Sequence, residues 1–294
     1  MPTTLHSIDD SLPADLADKR ERLLGALRAM QRVAVAVSGG IDSTVVAMAA
    51  FQALGDQAVA VTADSPSVPR AELENAIAMA RLIGIHHRVI PTHEFLNDDY
   101  LRNDGSRCYH CKSELYSRIE ELIPQLGVAV VCSGANLDDL GDYRPGLTAA
   151  AEHHVRHPLQ EAGFTKADVR ALARAWGLPI WDKPASPCLS SRLAPGLAVT
   201  PDRVARIEAA EAYLHRLGIR DCRVRLHEGD LARIELLPAD IEKMAGIAAR
   251  EELQHEFRRL GFRFVTMDLA GLRSGSMNEL IDVSVRRRYA NNAD

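Results

Sequence analysis

The chain has 294 residues, enough for two domains, and its 47% hydrophobic and 26% charged residues are those of a folded globular protein rather than a disordered or fibrous one. With 35 basic against 40 acidic residues and a net charge of −5, it lacks the basic footprint of a tight nucleic-acid binder, which counts against a nucleic-acid partner. No signal-peptide pattern and no apolar run long enough to span a membrane is present, so a cytoplasmic protein with no membrane partner is expected. In that reducing compartment the five cysteines, Cys108, Cys111, Cys132, Cys188 and Cys222, do not read as a disulfide framework.

Residues 1–16 are polar without periodicity and read as a loose N-terminal arm. A helix over Ala17 to Met30 leads into an apolar, β-branched run, Arg32 to Val37, which predicts a buried parallel strand. Ser38-Gly39-Gly40-Ile41-Asp42-Ser43 follows, and Thr44 to Leu54 has helical spacing. Strand, Ser-Gly-Gly turn and helix start together make an anion site, because glycine lets the backbone approach closely and free N–H groups point outward with the positive end of the dipole. The spacing is neither that of a Walker A loop nor GxGxxG. SGGIDS resembles instead the PP-loop of the ATP pyrophosphatases, which cleave ATP between the α and β phosphates and pass AMP to an acceptor. The resemblance implies that Ser38, Gly39, Gly40 and Ser43 hold pyrophosphate and that Asp42 helps to place Mg²⁺.

A second strand, Gln57 to Val61, ends in Thr62-Ala63-Asp64-Ser65. A helix from Pro69 to Ile83 and a third strand, His87 to Ile90, come next. Repeated strand–helix units predict an α/β fold with a parallel sheet, whose ligands bind at the C-terminal ends of the strands. Thr62 and Ser65 are therefore expected at the nucleotide. The adjacent His86 and His87 point to opposite faces of a strand and cannot share a metal; His153, His154 and His157 read as loop residues. Cys108-Tyr109-His110-Cys111 opens a helix, and the residues alone leave a redox pair, half of a zinc site or part of an iron–sulfur site open. A fourth strand, Val128 to Cys132, carries Cys132 as a small core residue. Its end, from Ser133 through Gly134 to Gly146, resembles the PP-loop segment that faces ATP, with Asp138, Asp139 and Asp142 as candidates near Mg²⁺.

After a helix from Lys166 to Trp176 comes Lys183-Pro184-Ala185-Ser186-Pro187-Cys188-Leu189-Ser190-Ser191-Arg192. So irregular a loop reads as functional rather than as core. The remainder predicts a smaller α+β domain. Thr200 caps a helix over Pro201 to Leu217, strands lie at Cys222 to Leu226, Ala232 to Leu237 and Phe262 to Met267, and one long helix spans Ala239 to Leu260. The expected division is an arm, 1–16, a PP-loop ATP domain, 17–185, and a smaller second domain, 186–294.

SGGIDS, RCYHCK, KPASPCLSSR, RVRLHEGDLARIE and DLAGLRSGSMN together resemble the LarE family, over roughly Arg32 to Asn278. These are ATP-dependent sulfur transferases in the synthesis of a nickel-pincer nucleotide cofactor. The resemblance implies that ATP adenylates a carboxylate of pyridinium-3,5-biscarboxylic acid mononucleotide, and that a sulfur nucleophile then displaces AMP. Members with one cysteine at the position of Cys188 give up its sulfur and are consumed. This chain departs from that pattern at Cys108 and Cys111, which with Cys188 suggest a 4Fe-4S cluster on three thiolates whose free iron holds a transferable sulfide. Arg192, Arg223 and Arg225, the last two on one face of a strand, offer forked donors to the substrate's anions, with Ser190 and Ser191 helping. The resemblance further implies a homo-oligomer and sulfide or another sulfur donor as partner. Sacrificial use of Cys188 without a cluster, a tRNA-thiolating PP-loop enzyme, an ATP-binding regulatory module and an amidating enzyme are the alternatives.

Overall fold

The computed structural model describes residues 12–140, 143–244, 246–273 and 275–290. Its elements run α1 (Ala14–Met30), β1 (Val33–Ala36), α2 (Ile41–Leu54), β2 (Ala58–Asp64), α3 (Arg70–Ile83), β3 (His86–Pro91), α4 (Asp98–Leu101), α5 (Arg107–Leu126), β4 (Val130–Cys132), α6 (Pro145–Glu152), α7 (Pro158–Glu161) and α8 (Lys166–Ala175). Then follow α9 (Pro201–Arg216), β5 (Cys222–His227), β6 (Leu231–Leu236), α10 (Pro238–Met244), α11 (Ile247–Arg259), β7 (Phe264–Met267) and α12 (Val283–Ala290). The chain divides into two compact units. One takes in the chain to Glu94, Cys108–Ser186 and the end from Arg287; the other takes in Phe95–Arg107 and Pro187–Arg286.

The first unit is α/β, as expected, around a parallel sheet of order β3-β2-β1-β4. Strand β1 is buried along its whole length because both faces are covered. Val33 and Val35 enter a core with Leu23, Leu27, Val45 and Leu172, while Ala34 and Ala36 face Tyr116 and Ile119 of α5. From β1 the chain builds outward through β2 to β3, then returns to place β4 on the other side of β1. Connections reverse at the C-terminal ends of β1 and β4, where open sheets of this kind bind ligands. Edge strand β3 carries His86, exposed, and His87, half-buried, in accord with their reading as edge residues.

Several boundaries move. Helix α1 begins at Ala14, inside the expected arm, whose residues 1–11 lie outside the described residues, as does Asp142. Pro69 is the N-cap of α3 rather than its first helical residue. Strand β2 runs on through Thr62 to Asp64 because β3 pairs with it there.

The second unit holds a sheet of order β5-β6-β7, antiparallel between β5 and β6 and parallel between β6 and β7. Val224, Leu226, Ala232, Ile234 and Leu236 bury one face of it. Thr200 caps α9 as expected, its hydroxyl accepting from the Arg203 N–H at 3.3 Å. The single helix expected over Ala239 to Leu260 is two, α10 and α11, the second starting from Gly246 in an extended conformation (φ −58°, ψ 140°). The segment after Cys188 is also core after all: Leu189, Ser190, Arg192 and Leu193 are buried, which corrects its reading as a non-core loop.

Candidate active site

The phosphate loop leaves β1 and enters α2 through Gly39, whose φ of +78° is open to glycine and strained for other residues. A side chain there would also collide with the Glu72 carbonyl, 2.6 Å from an ideal Cβ. Ser43 locks the turn: its hydroxyl accepts from the Ser38 N–H at 3.1 Å and donates to the Gly40 carbonyl at 3.1 Å. Thr44 Oγ1 donates to the same carbonyl at 2.8 Å. No side chain caps α2 at Gly40, so its first N–H groups remain for an anion, as the sequence predicts. Gly134, beyond β4, packs on this helix start; a Cβ on it would lie 2.5 Å from the Ser43 nitrogen.

Asp42 is gripped from two sides. Lys166 Nζ, at the start of α8, bonds its Oδ2, and Asn136 Nδ2 donates to its Oδ1 at 3.1 Å. Thr165 sets Lys166 in place through a capping box with Asp168. A second cation, Lys183 Nζ, donates to the Gly39 carbonyl at 3.2 Å and to Glu72 at 2.6 Å. The loop is therefore held by two lysines and an asparagine that sequence reasoning did not single out. Only the position of Lys183 in the KPASPC segment hinted at one of them.

The other candidates of this unit serve as framework. Asp138 Oδ2 accepts from the Lys166 N–H at 2.8 Å, fixing the residue that reaches Asp42. Asp139 accepts from the Asn136 N–H at 3.0 Å and pairs with Arg144 at 2.8 Å. Thr62 and Ser65 are buried with their hydroxyls bonded inward, Thr62 to His87 at 2.9 Å and Ser65 to Ser67 at 2.9 Å. Burial holds the His87 pKa below the usual imidazole value.

The cysteines fall into two chemical groups. Cys132 and Cys222 are buried, and burial pushes each thiol up to about 12, so neither supplies a thiolate. Cys108, exposed, and Cys111, half-buried, open α5 in the first unit; Cys188, half-buried, belongs to the second. Among the described residues no three His, Cys, Asp or Glu side chains are grouped to hold a metal ion.

In the second unit Cys188 is fixed through its carbonyl, which accepts from the Ser191 N–H at 3.0 Å, the Ser191 hydroxyl at 2.7 Å and Arg192 Nη1 at 3.1 Å. Arg192 also bonds the Pro187 carbonyl and forms a buried ion pair with Glu211 at 3.0 Å. Arg225, 3% exposed, pairs with the fully buried Glu235 at 2.8 Å and donates to the Ser191 carbonyl at 3.0 Å. Ser190 is buried against the Tyr100 hydroxyl at 2.7 Å. These donors are spent on the Cys188 loop, which corrects the expectation that Arg192, Arg225 and Ser190 present them to a substrate. Arg223 differs: half-buried, it donates to the Arg273 carbonyl at 3.2 Å and has no carboxylate partner among the described residues. Burial first, then Arg225, lowers its pKa.

A parallel sheet with a Ser-Gly-Gly anion turn at its switch point, an acidic first turn and two lysines on the loop define a PP-loop ATP pyrophosphatase-type enzyme. The sequence pattern of the NAD synthase family matches residues 23–104, which contain this loop. An uncharacterised protein of Synechocystis is 46% identical over 266 residues, covering 90% of this chain and 99% of its own. The pyridinium-3,5-bisthiocarboxylic acid mononucleotide synthase of Lactiplantibacillus plantarum is 42% identical over 270 residues, covering 91% and 96%. A tRNA-specific 2-thiouridylase of Azorhizobium caulinodans is 29% identical over 55% of this chain and 51% of its own. The chain belongs to the LarE family, that of the pyridinium-3,5-bisthiocarboxylic acid mononucleotide synthases. No helix among the described residues is long and apolar enough to cross a membrane.

Proposed function

We propose that the protein is an ATP-dependent sulfur transferase that converts the carboxylates of pyridinium-3,5-biscarboxylic acid mononucleotide to thiocarboxylates. The observation that carries this is the phosphate loop with Asp42 held between Lys166 and Asn136, in a chain so similar to a synthase of the bisthiocarboxylic product. A substrate carboxylate oxygen attacks the α-phosphorus of ATP, the bond to the bridging β-oxygen breaks, and pyrophosphate leaves onto the N–H groups of the loop and the two lysines. A sulfur nucleophile then attacks the acyl carbon, the bond to the AMP oxygen breaks, and AMP departs. Mg²⁺, when bound, would be held through the Asp42 carboxylate and would offset charge on the phosphates, with Lys166 as a cation beside it. Arg223 serves a substrate anion, and Arg192, Ser191 and Arg225 set the course of the Cys188 loop.

The thiols left for an iron–sulfur site are Cys108, Cys111 and Cys188, since burial raises Cys132 and Cys222 to about 12. A 4Fe-4S cluster on those three thiolates, when bound, supplies an exchangeable sulfide on its fourth iron. The family reading also carries a homo-oligomer, a cytoplasmic location and sulfide or another sulfur donor as partner. Anaerobic reconstitution with iron and sulfide tests the cluster. Iron and the visible absorption should be retained by wild type and lost in both Cys108→Ala and Cys188→Ala; wild type that takes up no iron overturns it in favour of sacrificial transfer from Cys188.

A further inference from the structure

Within the first unit the phosphate loop contains one peptide that its own side chains do not fix. Ser43 and Thr44 bond the Ser38 N–H and the Gly40 carbonyl, but the peptide between them joins Gly39 to Gly40, and a pair of glycines turns over at little steric cost. A planar trans peptide points its C=O and its N–H in opposite directions. One orientation offers the Gly40 N–H to an anion; the other turns the Gly39 oxygen on it.

Helix α3 selects between them. Its backbone covers Gly39, with the Glu72 carbonyl 2.6 Å and the Ala76 nitrogen 3.5 Å from an ideal Cβ. Asn75, three residues after Glu72 and so on the same face of α3, donates from Nδ2 to the Gly39 carbonyl at 3.0 Å. Lys183 Nζ reaches that carbonyl at 3.2 Å while Glu72 holds it at 2.6 Å. The backbone of Lys183 is anchored in turn, its carbonyl accepting from Arg170 Nη2 at 3.2 Å and its N–H donating to the Ile180 carbonyl at 3.1 Å. With the Gly39 oxygen taken on the α3 side, the Gly40 N–H faces away from the helix, toward the exposed Ser38. Its partner there among the described residues is the Ser38 hydroxyl at 3.4 Å, long beside the roughly 2.7–3.2 Å of a good N–H···O bond, so a phosphate oxygen can displace it.

The structure assigns Asn75 a positioning role in the proposed reaction: it holds the Gly39–Gly40 peptide with its N–H toward the departing pyrophosphate, and Glu72 keeps Lys183 on the same carbonyl. This rests on the ATP cleavage proposed above and adds to it two residues of α3, outside the loop, that set the loop's donors. A donor fixed before the reaction needs no reorganisation as charge develops on the phosphate, which is where such donors act most strongly. Lys183 uses two of its three N–H donors on Gly39 and Glu72 and keeps the third for phosphate.

The test is calorimetric titration of the whole chain with inorganic pyrophosphate and, separately, with AMP, both in magnesium buffer. Asn75→Leu, close in size but without a donor, should weaken pyrophosphate about tenfold and leave AMP within about twofold of wild type. Asn75→Gln, which restores an amide donor, should recover most of the difference. Melting temperature is the folding control, and Asn75→Ala, which suits a helix interior, replaces the leucine variant if that one fails it. Wild type that binds no pyrophosphate, binding unchanged in the donorless variant, equal weakening of both ligands, or a glutamine variant as weak as the leucine one overturns the role. Pyrophosphate release from ATP with the dicarboxylate substrate is measured on the same wild-type protein. Turnover with pyrophosphate binding indifferent to Asn75 removes the positioning role and leaves the reaction; binding that depends on Asn75 without turnover does the reverse.

Discussion

The ammonium of Lys166 rests on the carboxylate of Asp42, joining the start of α8 to the phosphate loop across 124 positions of the chain. It places a positive charge at the mouth of a helix start already disposed toward anions, and it keeps the Asp42 carboxylate aligned until a nucleotide arrives.

Replacing Lys166 with methionine keeps the stem and removes that charge. ATP-dependent pyrophosphate release should fall about 100-fold, the usual scale for losing one preorganised donor at developing phosphate charge. A steady-state assay checks this, and a change below about threefold would show that Lys166 only braces the empty loop.

Gly134→Ala tests the packing of β4's end on the loop. A methyl group 2.5 Å from the Ser43 nitrogen forces α2 to shift, so ATP affinity should drop sharply with a loss of about 1–3 kcal/mol in stability, read from urea unfolding with and without ATP.

The Arg192–Glu211 pair is buried, its side chains 5% and 10% exposed. Arg192→Met alone strands the Glu211 charge and should cost about 3–5 kcal/mol, whereas Arg192→Met with Glu211→Leu should recover much of it. Activity should remain impaired in the double variant, because the carbonyls of Pro187 and Cys188 have lost the donor that positions the loop.

How far the sequence revealed this site depends on the range of the relationships involved. SGGIDS announces its turn because strand, glycines and helix start are contiguous, and the apolar runs on either side locate β1 and α2 with it. Lys166, Asn136 and Lys183 carry no local mark; each is one polar residue at the edge of another element, brought to the loop by the parallel topology. Arg192 and Arg225 were misread for the converse reason. Two arginines on a loop and a strand look available for anions until Glu211 and Glu235, at separations of 19 and 10 residues, are seen to take them. The expected long helix fails for a local reason, since Gly246 in an extended conformation divides it.

Stability should fall as pH drops below 6.5, the ordinary imidazole value. Burial lowers the pKa of His87, His157 and His227 in the folded protein, so below 6.5 the unfolded chain binds protons that the folded one does not. The contribution is intact above 6.5 and declines as pH falls further, until the folded groups themselves protonate. Chemical unfolding from about pH 7.5 down to about pH 5 checks this, and His157→Gln should make the decline shallower.

Thiol labelling separates the two groups of cysteines. Native protein near neutral pH should react at Cys108, Cys111 and Cys188, and Cys132 and Cys222, raised to about 12, should react only after unfolding. Mass mapping of a brief iodoacetamide treatment reads the positions.

The most direct test of the proposed reaction is the fate of ATP when pyridinium-3,5-biscarboxylic acid mononucleotide and sulfide are supplied anaerobically to the reconstituted protein. Pyrophosphate and AMP should appear together, dependent on the dicarboxylate and abolished in Asp42→Ala, with product masses that show oxygen exchanged for sulfur. Release of ADP and phosphate instead, or of pyrophosphate indifferent to the dicarboxylate, would contradict adenylation of that substrate.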